Sequence, residues 1–271
     1  MGSLYLVATP IGNLEDITFR AVRVLREASL IAAEDTRIAR RLLQHYDIHT
    51  RLVAYHGDSP PSKAAEIIAA LAEGDVAVVS DAGTPGIADP GSELVRLASE
   101  AGYPVIPIPG PSSVAAAASV SGLVDEGYVF AGYLPRKEGE RRERLRELAA
   151  LGLPLILFEA PSRVRALLEQ LAELYPGAEV VAGREITKLH EEWLRGTPAE
   201  LLDRLTERGE FTLVVRLPAR RGEEVPQDLD ALLAAALAEE PTLRAAVDRV
   251  IAATGLPRRT VYQRALELSK A

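Results

Sequence analysis

As far as residue 121, the chain alternates between short apolar runs and longer stretches whose apolar positions recur every three or four residues. Leu4–Ala8, Leu30–Ala33, Leu52–Tyr55, Val76–Ser80 and Val105–Ile108 are nearly continuous runs of Val, Ile, Leu and Ala. Such runs fit strands buried on both faces. Between and after them lie helical patterns at Ile17–Ala28, Arg37–Tyr46, Ser62–Glu73, Glu93–Ala101 and Ser113–Ser121. In the first of these, Ile17, Ala21, Val24, Leu25 and Ala28 share one helical face. Repeated strand–helix units of this kind predict a parallel sheet covered by helices, with any ligand at the carboxyl ends of its strands.

The pattern changes after Gly122–Gly127, which reads as a link. Tyr128–Gly132 and Leu153–Phe158 are strand-like, with a charged helix, Glu140–Ala150, between them. Arg163–Leu174 is helical, Glu179–Gly183 and Leu189–Leu194 are a candidate strand pair, Ala199–Glu207 is helical, and Phe211–Leu217 is a last strand. Polar, Pro-bearing residues at 218–227 read as a linker. The remainder is helical, with an apolar stripe at Leu243, Val247, Val250 and Ile251. Thr254-Gly255-Leu256-Pro257 then supplies a turn with Pro placed to open a helix carrying Val261, Ala265 and Leu268. The expected organisation is an α/β lobe (1–121), a mixed α+β lobe (122–217), a linker (218–227) and a small helix–turn–helix-like region (228–271).

Composition narrows the chemistry. With 48% hydrophobic and 26% charged residues the chain is expected to be globular. Its net charge of −8 means that contact with nucleic acid has to come from local basic patches. The absence of cysteine excludes disulfides, thiolate metal sites and a cysteine nucleophile. The four histidines show no convincing ligand spacing, so no metal is expected. The beginning of the sequence lacks a basic signal-like segment, and no apolar run reaches the roughly 18 residues of a membrane span. A cytoplasmic location is expected.

Three strand-to-helix loops are richer in Gly and Pro than a connection requires: 8–14, 80–92 and 107–113. Glycine lets backbone approach a ligand and proline holds a loop in shape. No G-x-G-x-x-G follows the first strand, and no G-x-x-x-x-G-K-[ST] occurs. The loops offer amides and carboxylates but almost no cations. That suits a ligand with hydroxyls, an amine and a positive centre, features that S-adenosylmethionine combines.

The segments Leu4-Tyr5-Leu6-Val7-Ala8-Thr9-Pro10-Ile11-Gly12-Asn13-Leu14-Glu15-Asp16-Ile17, Ala33-Glu34-Asp35-Thr36-Arg37, Ser80-Asp81-Ala82-Gly83-Thr84-Pro85-Gly86-Ile87-Ala88-Asp89-Pro90-Gly91 and Pro109-Gly110-Pro111-Ser112-Ser113 resemble the tetrapyrrole (corrin/porphyrin) methylase family. The resemblance is to its branch acting on small-subunit ribosomal RNA. Phe130–Lys137, Phe158–Arg163, Arg184–Glu191 and Gly209–Thr212 agree as well. The resemblance implies a two-lobed fold and a homodimer. It also implies S-adenosylmethionine in a cleft between the lobes and 2′-O-methylation of a cytidine in the decoding region. By motif, Pro10, Asp81, Gly83, Ile87, Ser112 and Ser113 are expected to line the cofactor, with Phe158 and Glu159 from the second lobe. The chain departs from the branch at Ser59-Pro60, where many members carry Asn-Glu.

A ribose hydroxyl needs a base, or a cation to stabilise its alkoxide. The candidates are Glu34 and Asp35, and Glu185 with Lys188. Asp35 reads equally well as a helix N-cap, and Glu185 and Lys188 as a mutual pair. Candidate RNA contacts are Arg37, Arg136, Lys137, Arg258 and Arg259. Arg141, Arg142 and Arg144, interleaved with Glu140 and Glu143, read more readily as a solvated helix face. The rival readings are a methyltransferase of corrin or porphyrin precursors and an RNA-binding protein without catalysis.

Overall fold

The computed structural model describes residues 2–87, 91–218, 229–240, 242–254 and 258–268. Five strands, β1 (Leu4–Val7), β2 (Leu30–Ala33), β3 (Leu52–Ala54), β4 (Val76–Val79) and β5 (Val105–Ile108), form one sheet in the order β3-β2-β4-β1-β5. Every pairing in it is parallel. The helices between and after the strands are α1 (Phe19–Glu27), α2 (Thr36–His45), α3 (Pro61–Ala70), α4 (Gly91–Glu100) and α5 (Ser113–Ser121).

Strand alternation divides the core into two layers. Ile31, Ala33, Ala77 and Val79 pack with Ala21, Val24 and Leu25 of α1 and Ala39 and Leu43 of α2. Leu30, Ala32, Val76 and Val78 pack with Ala64 and Ile67 of α3 and Leu94 and Ala98 of α4. Successive side chains point to opposite faces, so a strand clothed on both sides is apolar throughout, as the sequence pattern implied.

The second sheet is mixed: β6 (Val129–Tyr133), β7 (Leu155–Glu159), β8 (Glu179–Arg184), β9 (Glu192–Gly196) and β10 (Phe211–Arg216), in the order β6-β7-β10-β8-β9. Only β6 and β7 are parallel. Helix α5 packs on one face, where Val114 and Ala117 meet Ile156, Val181 and Val214. The helices of this part are α6 (Glu138–Ala149), α7 (Pro161–Leu174) and α8 (Pro198–Leu202).

Among the elements whose bounds differ from the sequence patterns, α8 and β9 show why. Helix α8 stops at Leu202 instead of Glu207. There Arg204 N–H donates to the Leu201 carbonyl and its guanidinium turns back to the Arg195 carbonyl. Strand β9 starts at Glu192 instead of Leu189, because Leu189 and His190 lie in a turn closed by Glu191 N–H donating to the Lys188 carbonyl. Leu189 is left 94% exposed.

The chain divides into two compact units, 1–144 with 153–216, and 145–152 with 217–271. In the latter, α9 (Leu229–Glu239), α10 (Leu243–Thr254) and α11 (Arg258–Leu268) share a core of Leu229, Leu233, Ala236, Ala246, Val247, Val250, Val261 and Ala265. The expected turn at 255–257 and most of the expected linker at 218–227 lie outside the described residues, as does the 88–90 part of the second loop. Among the described residues no helix is long and apolar enough to cross a membrane.

One close approach tests the second sheet. A Cβ at Gly183 of β8 would lie 2.6 and 2.7 Å from ring carbons of Trp193 and 3.0 Å from Ile186 Cδ1. Gly183→Ala is expected to cost about 1–3 kcal/mol through overpacking. Thermal unfolding should show a midpoint several degrees lower, and an unchanged midpoint would contradict this packing.

Candidate active site

Strand order brings the three Gly/Pro loops together. They leave β1, β4 and β5, and β1 lies between the other two. Thr9 and Gly83 exchange both backbone hydrogen bonds, Thr9 N–H to Gly83 O at 2.9 Å and Gly83 N–H to Thr9 O at 3.0 Å. The Thr9 hydroxyl also donates to the Ser80 carbonyl at 3.2 Å. Gly83 has φ +80°, a conformation that a side chain disfavours. The third loop joins at Ala8, whose N–H donates to the Ile108 carbonyl. It ends at Ser112, whose side chain caps α5 by accepting from Ala115 N–H.

These loops form one wall of a cleft of about 230 Å³. From the first sheet come Ile11, Glu34, Ser80, Asp81, Ala82, Gly83, Thr84 and Ile87, and from the start of α5 Ser112, Ser113 and Val114. The opposite wall belongs to the second sheet and its loops: Tyr133, Phe158, Ile186, Glu210, Phe211 and Thr212. Phe158 packs edge-on against Phe130 and Tyr133, with ring centroids 5.0 and 5.7 Å away. Among the described residues, the lining side chains therefore include three carboxylates and no lysine or arginine.

The carboxylates are held in distinct ways. Asp81 accepts from Asp35 N–H at 2.9 Å, while Asp81 N–H donates to Glu34 Oε2 at 3.4 Å. Burial pushes the Asp81 carboxyl above the usual aspartate range, the Asp35 amide opposes this, and the Asp35 charge adds to it. Glu210 binds Lys188 Nζ at 2.9 Å, and Lys188 also binds Glu185 Oε1 at 2.9 Å. Burial alone would lower the Lys188 pKa, but hydrogen bonds to Glu210 and Glu185 outweigh it, and the net shift is upward. The bond from Lys188 holds Glu185 below its ordinary value. Glu185 is tied to the next segment twice: its N–H donates to the Glu210 carbonyl and its carboxylate accepts from Glu210 N–H. The Lys188 stem passes so close to Gly12 that a Cβ there would fall 2.4 Å from Lys188 Cγ.

Of the residues expected around the cofactor, Asp81, Gly83, Ile87, Ser112, Ser113 and Phe158 line this cleft. Pro10 does not; its neighbour Ile11 reaches it instead. Glu159 does not either. It follows Phe158 on β7, so its side chain points to the other face, where it is only 2% exposed. Among the proposed acid–base residues, Glu34 lines the cleft, whereas Glu185 and Lys188 do not and are joined to it through the lining residue Glu210. Asp35 caps α2, accepting from Arg37 N–H and gripping the Arg37 guanidinium, which holds its carboxyl at about 2.

Three of the candidate RNA residues have acidic partners. Arg37 pairs with Asp35, Lys137 with Glu140 and Arg258 with Asp248. Arg136 is exposed beside Lys137, and the side chain of Arg259 lies outside the described residues. The solvated face expected for 141–144 needs correction. Arg141 is only 5% exposed and donates to Gln170 Oε1 at 2.6 Å, and Arg142 pairs with Glu173. Ser59 closes a turn by accepting from His56 N–H, and Pro61 begins α3.

Sequence reasoning missed Tyr133, Ile186, Glu210, Phe211 and Thr212 as cleft residues. The signal was weak because it depends on strand order. Thr212 faces the cleft only because β10 inserts between β7 and β8, opposite Phe158 and Gly183.

Comparison with known proteins bears on this geometry. Residues 3–202 match the family model "Tetrapyrrole (Corrin/Porphyrin) Methylases", and residues 223–269 match "RsmI C-terminal HTH domain". Among curated relatives, "Ribosomal RNA small subunit methyltransferase I" of Mesorhizobium japonicum is 44% identical, covering 98% of this chain and 92% of that protein. The protein of the same name from Synechocystis is 43% identical, covering 99% of each. Solved structures share the fold at lower identity. Diphthine synthase aligns with a TM-score of 0.63 and 15% identity, covering 79% of this chain and 90% of that one. Uroporphyrin-III C-methyl transferase from Thermus thermophilus, complexed with S-adenosyl homocysteine, aligns with a TM-score of 0.55 and 21% identity, covering 79% and 97%. The chain belongs to the tetrapyrrole methylase family and, within it, to the ribosomal RNA small subunit methyltransferase I group.

Proposed function

We infer that this chain transfers a methyl group from S-adenosylmethionine to small-subunit ribosomal RNA. The observation that carries the reading is the cleft itself, three-loop on one side, with carboxylates and hydroxyls but, among the described residues, no lysine or arginine on its walls. A cationic, hydroxyl-bearing ligand fits such a lining, whereas a polyphosphate does not. Asp81 and Glu34 would take the amine or ribose hydroxyls, and Ile11, Ile87, Val114 and Phe158 would enclose the apolar parts. The first turn of α5, at Ser112–Val114, offers amide donors to a carboxylate. When bound, S-adenosylmethionine supplies an electrophilic methyl group.

The remaining work falls to this chain's residues, and much of it is alignment and exclusion of water. The acceptor in this reading is the 2′-hydroxyl of a cytidine ribose in the decoding region, as the branch-specific motifs imply. Lys188 remains a cation at neutral pH because its pKa is raised. It is therefore suited to stabilising a developing alkoxide, with Glu185 and Glu210 fixing its position. Asp35 serves the site through its amide to Asp81, its carboxylate being committed to α2. Arg136 and Lys137 follow directly on the cleft segment that ends β6, and with Arg37, Arg258 and Arg259 they form the proposed RNA contacts. Assembly as a homodimer is proposed on the same family resemblance. The cytoplasm is the proposed location.

Labelled-cofactor assays with small-subunit RNA, partly assembled subunits and a porphyrin precursor test the substrate class. Mass mapping of rRNA from cells lacking the protein tests the nucleotide. Methyl transfer to the porphyrin precursor alone would replace this reading, and no cofactor binding by calorimetry would leave only RNA binding.

Two variants probe the site. The Asp81 pKa is raised on folding, so its stabilising contribution is present below the unfolded value of 3.8 and is lost as pH rises through the folded value. Asp81→Asn should therefore keep or raise the melting temperature at pH 7 while weakening cofactor binding roughly tenfold or more, as loss of a charged hydrogen-bond acceptor does. A lowered melting temperature with unchanged cofactor affinity would contradict the assignment. Replacing Arg136 and Lys137 by Ala should weaken RNA binding about tenfold and reduce the slope of log K against log salt by about 1.4, the value for two phosphates on single-stranded RNA. Cofactor affinity should hold.

A further inference from the structure

Glu159 is a buried carboxylate that the cleft does not use. It lies behind Phe158, with its side chain fully enclosed, and its Oε1 accepts from Ala160 N–H. Its Oε2 has no hydrogen-bond partner among the described residues. Arg163, on the first turn of α7, places Nε 3.1 Å from Glu159 Oε1, near enough for an ion pair but outside hydrogen-bonding geometry. The same guanidinium reaches forward: Nη2 donates to the Leu134 carbonyl at 2.7 Å and towards the Pro135 carbonyl at 3.4 Å.

Those carbonyls belong to the turn that carries Arg136 and Lys137. The rest of the turn is also held from beneath. The Lys137 carbonyl accepts from Arg141 N–H, and the Glu138 carbonyl accepts from Gln170 Nε2, whose Oε1 is bound by the buried Arg141. Four backbone carbonyls are thus fixed on the protein side, while the side chains of Arg136 and Lys137 are exposed. The residue before the turn, Tyr133, lines the cleft and packs on Phe158. A buried ion pair is a weak source of stability, because desolvation offsets its attraction. Its arrangement here suits a different use, which is to hold backbone in one place.

We propose that Arg163, braced by Glu159, is a positioning residue for RNA: it fixes the 134–137 turn so that Arg136 and Lys137 meet the phosphate backbone beside the cleft. This rests on the reading of that turn as an RNA contact. Phosphate contacts set the register of a nucleic acid on a protein, so a loosened turn impairs RNA binding without touching the methyl-transfer centre.

The test compares Arg163→Lys, Glu159→Gln and the double variant Arg136→Ala/Lys137→Ala in the full-length chain. Methylation kinetics, S-adenosylhomocysteine affinity and melting temperature are measured for each. Lysine at 163 keeps the charge but lacks the planar fork that faces Glu159 through Nε and the two carbonyls through Nη2. Arg163→Lys should raise KM for RNA roughly tenfold, with kcat and S-adenosylhomocysteine affinity near those of the parent protein. Glu159→Gln, which keeps the volume and releases Arg163, should move KM the same way by a smaller factor. An unchanged KM in Arg163→Lys, with a raised KM in the double variant, would overturn the positioning role alone. An unchanged KM in the double variant would remove the turn from the RNA contacts and the inference with it. A parallel loss of kcat and cofactor affinity in both brace variants would make the pair a structural support of the cleft, and would also overturn the proposal.

Discussion

The site depends on one short piece of backbone pairing. Thr9 and Gly83 leave adjacent parallel strands, and where the ladder ends they turn to face each other and exchange two hydrogen bonds. Without that pair, the loops after β1 and β4 would be separate connections, each with unpaired amides at the sheet edge. With it, they form one surface, and the carboxylates of Glu34 and Asp81 are brought to one side of it. The left-handed φ at Gly83 is the local condition for this arrangement. A parallel sheet exposes its strand ends along one edge, and this pairing converts the edge into a wall.

Charge is divided between the two tasks. The cleft walls are acidic, while the arginines and lysine proposed for RNA lie elsewhere on the chain. This separation resolves the net charge of −8: a uniformly basic surface would draw RNA phosphate towards the place where a cationic cofactor has to sit. A small basic turn next to the cleft serves better, because it acts within a Debye length and leaves the interior field negative. Lys188 stays compatible with the acidic site because Glu185 and Glu210 both bind it.

The sequence pattern revealed the elements well and the geometry between them poorly. The strands of the first sheet are legible as apolar runs, and in the inner strands β2 and β4 every residue is buried, while Asp35 is legible as a cap from its type and position. Strand order was not legible, since periodicity records which face a residue takes and not which neighbour it has. Hence Tyr133, Phe211 and Thr212 went unassigned. The family motif places Phe158 and Glu159 at the cofactor together, yet adjacent residues on a strand point apart. Arg141 was read as solvated because charge runs usually are, and a side chain with one buried partner at Gln170 leaves no periodic trace.

Strain marks the second wall. Glu185 and Thr187 both adopt left-handed backbone, at φ 52° and 67°, flanking Ile186, whose side chain lines the cleft. Such conformations cost on the order of 1–3 kcal/mol each, and for a β-branched threonine the conformation is a genuine outlier. Thr187 also buries its hydroxyl without a hydrogen-bond partner among the described residues. A loop selected for stability alone would carry glycine or asparagine at these positions. What the strained path achieves is visible in its contacts: Thr187 N–H meets Glu191, Glu185 meets Glu210, and Lys188 lies across Gly12 of the first loop. The unfavourable backbone is therefore held by polar contacts whose common effect is to fix Lys188 between two carboxylates. That is the configuration expected where placement of a charge matters more than the stability of the segment that carries it.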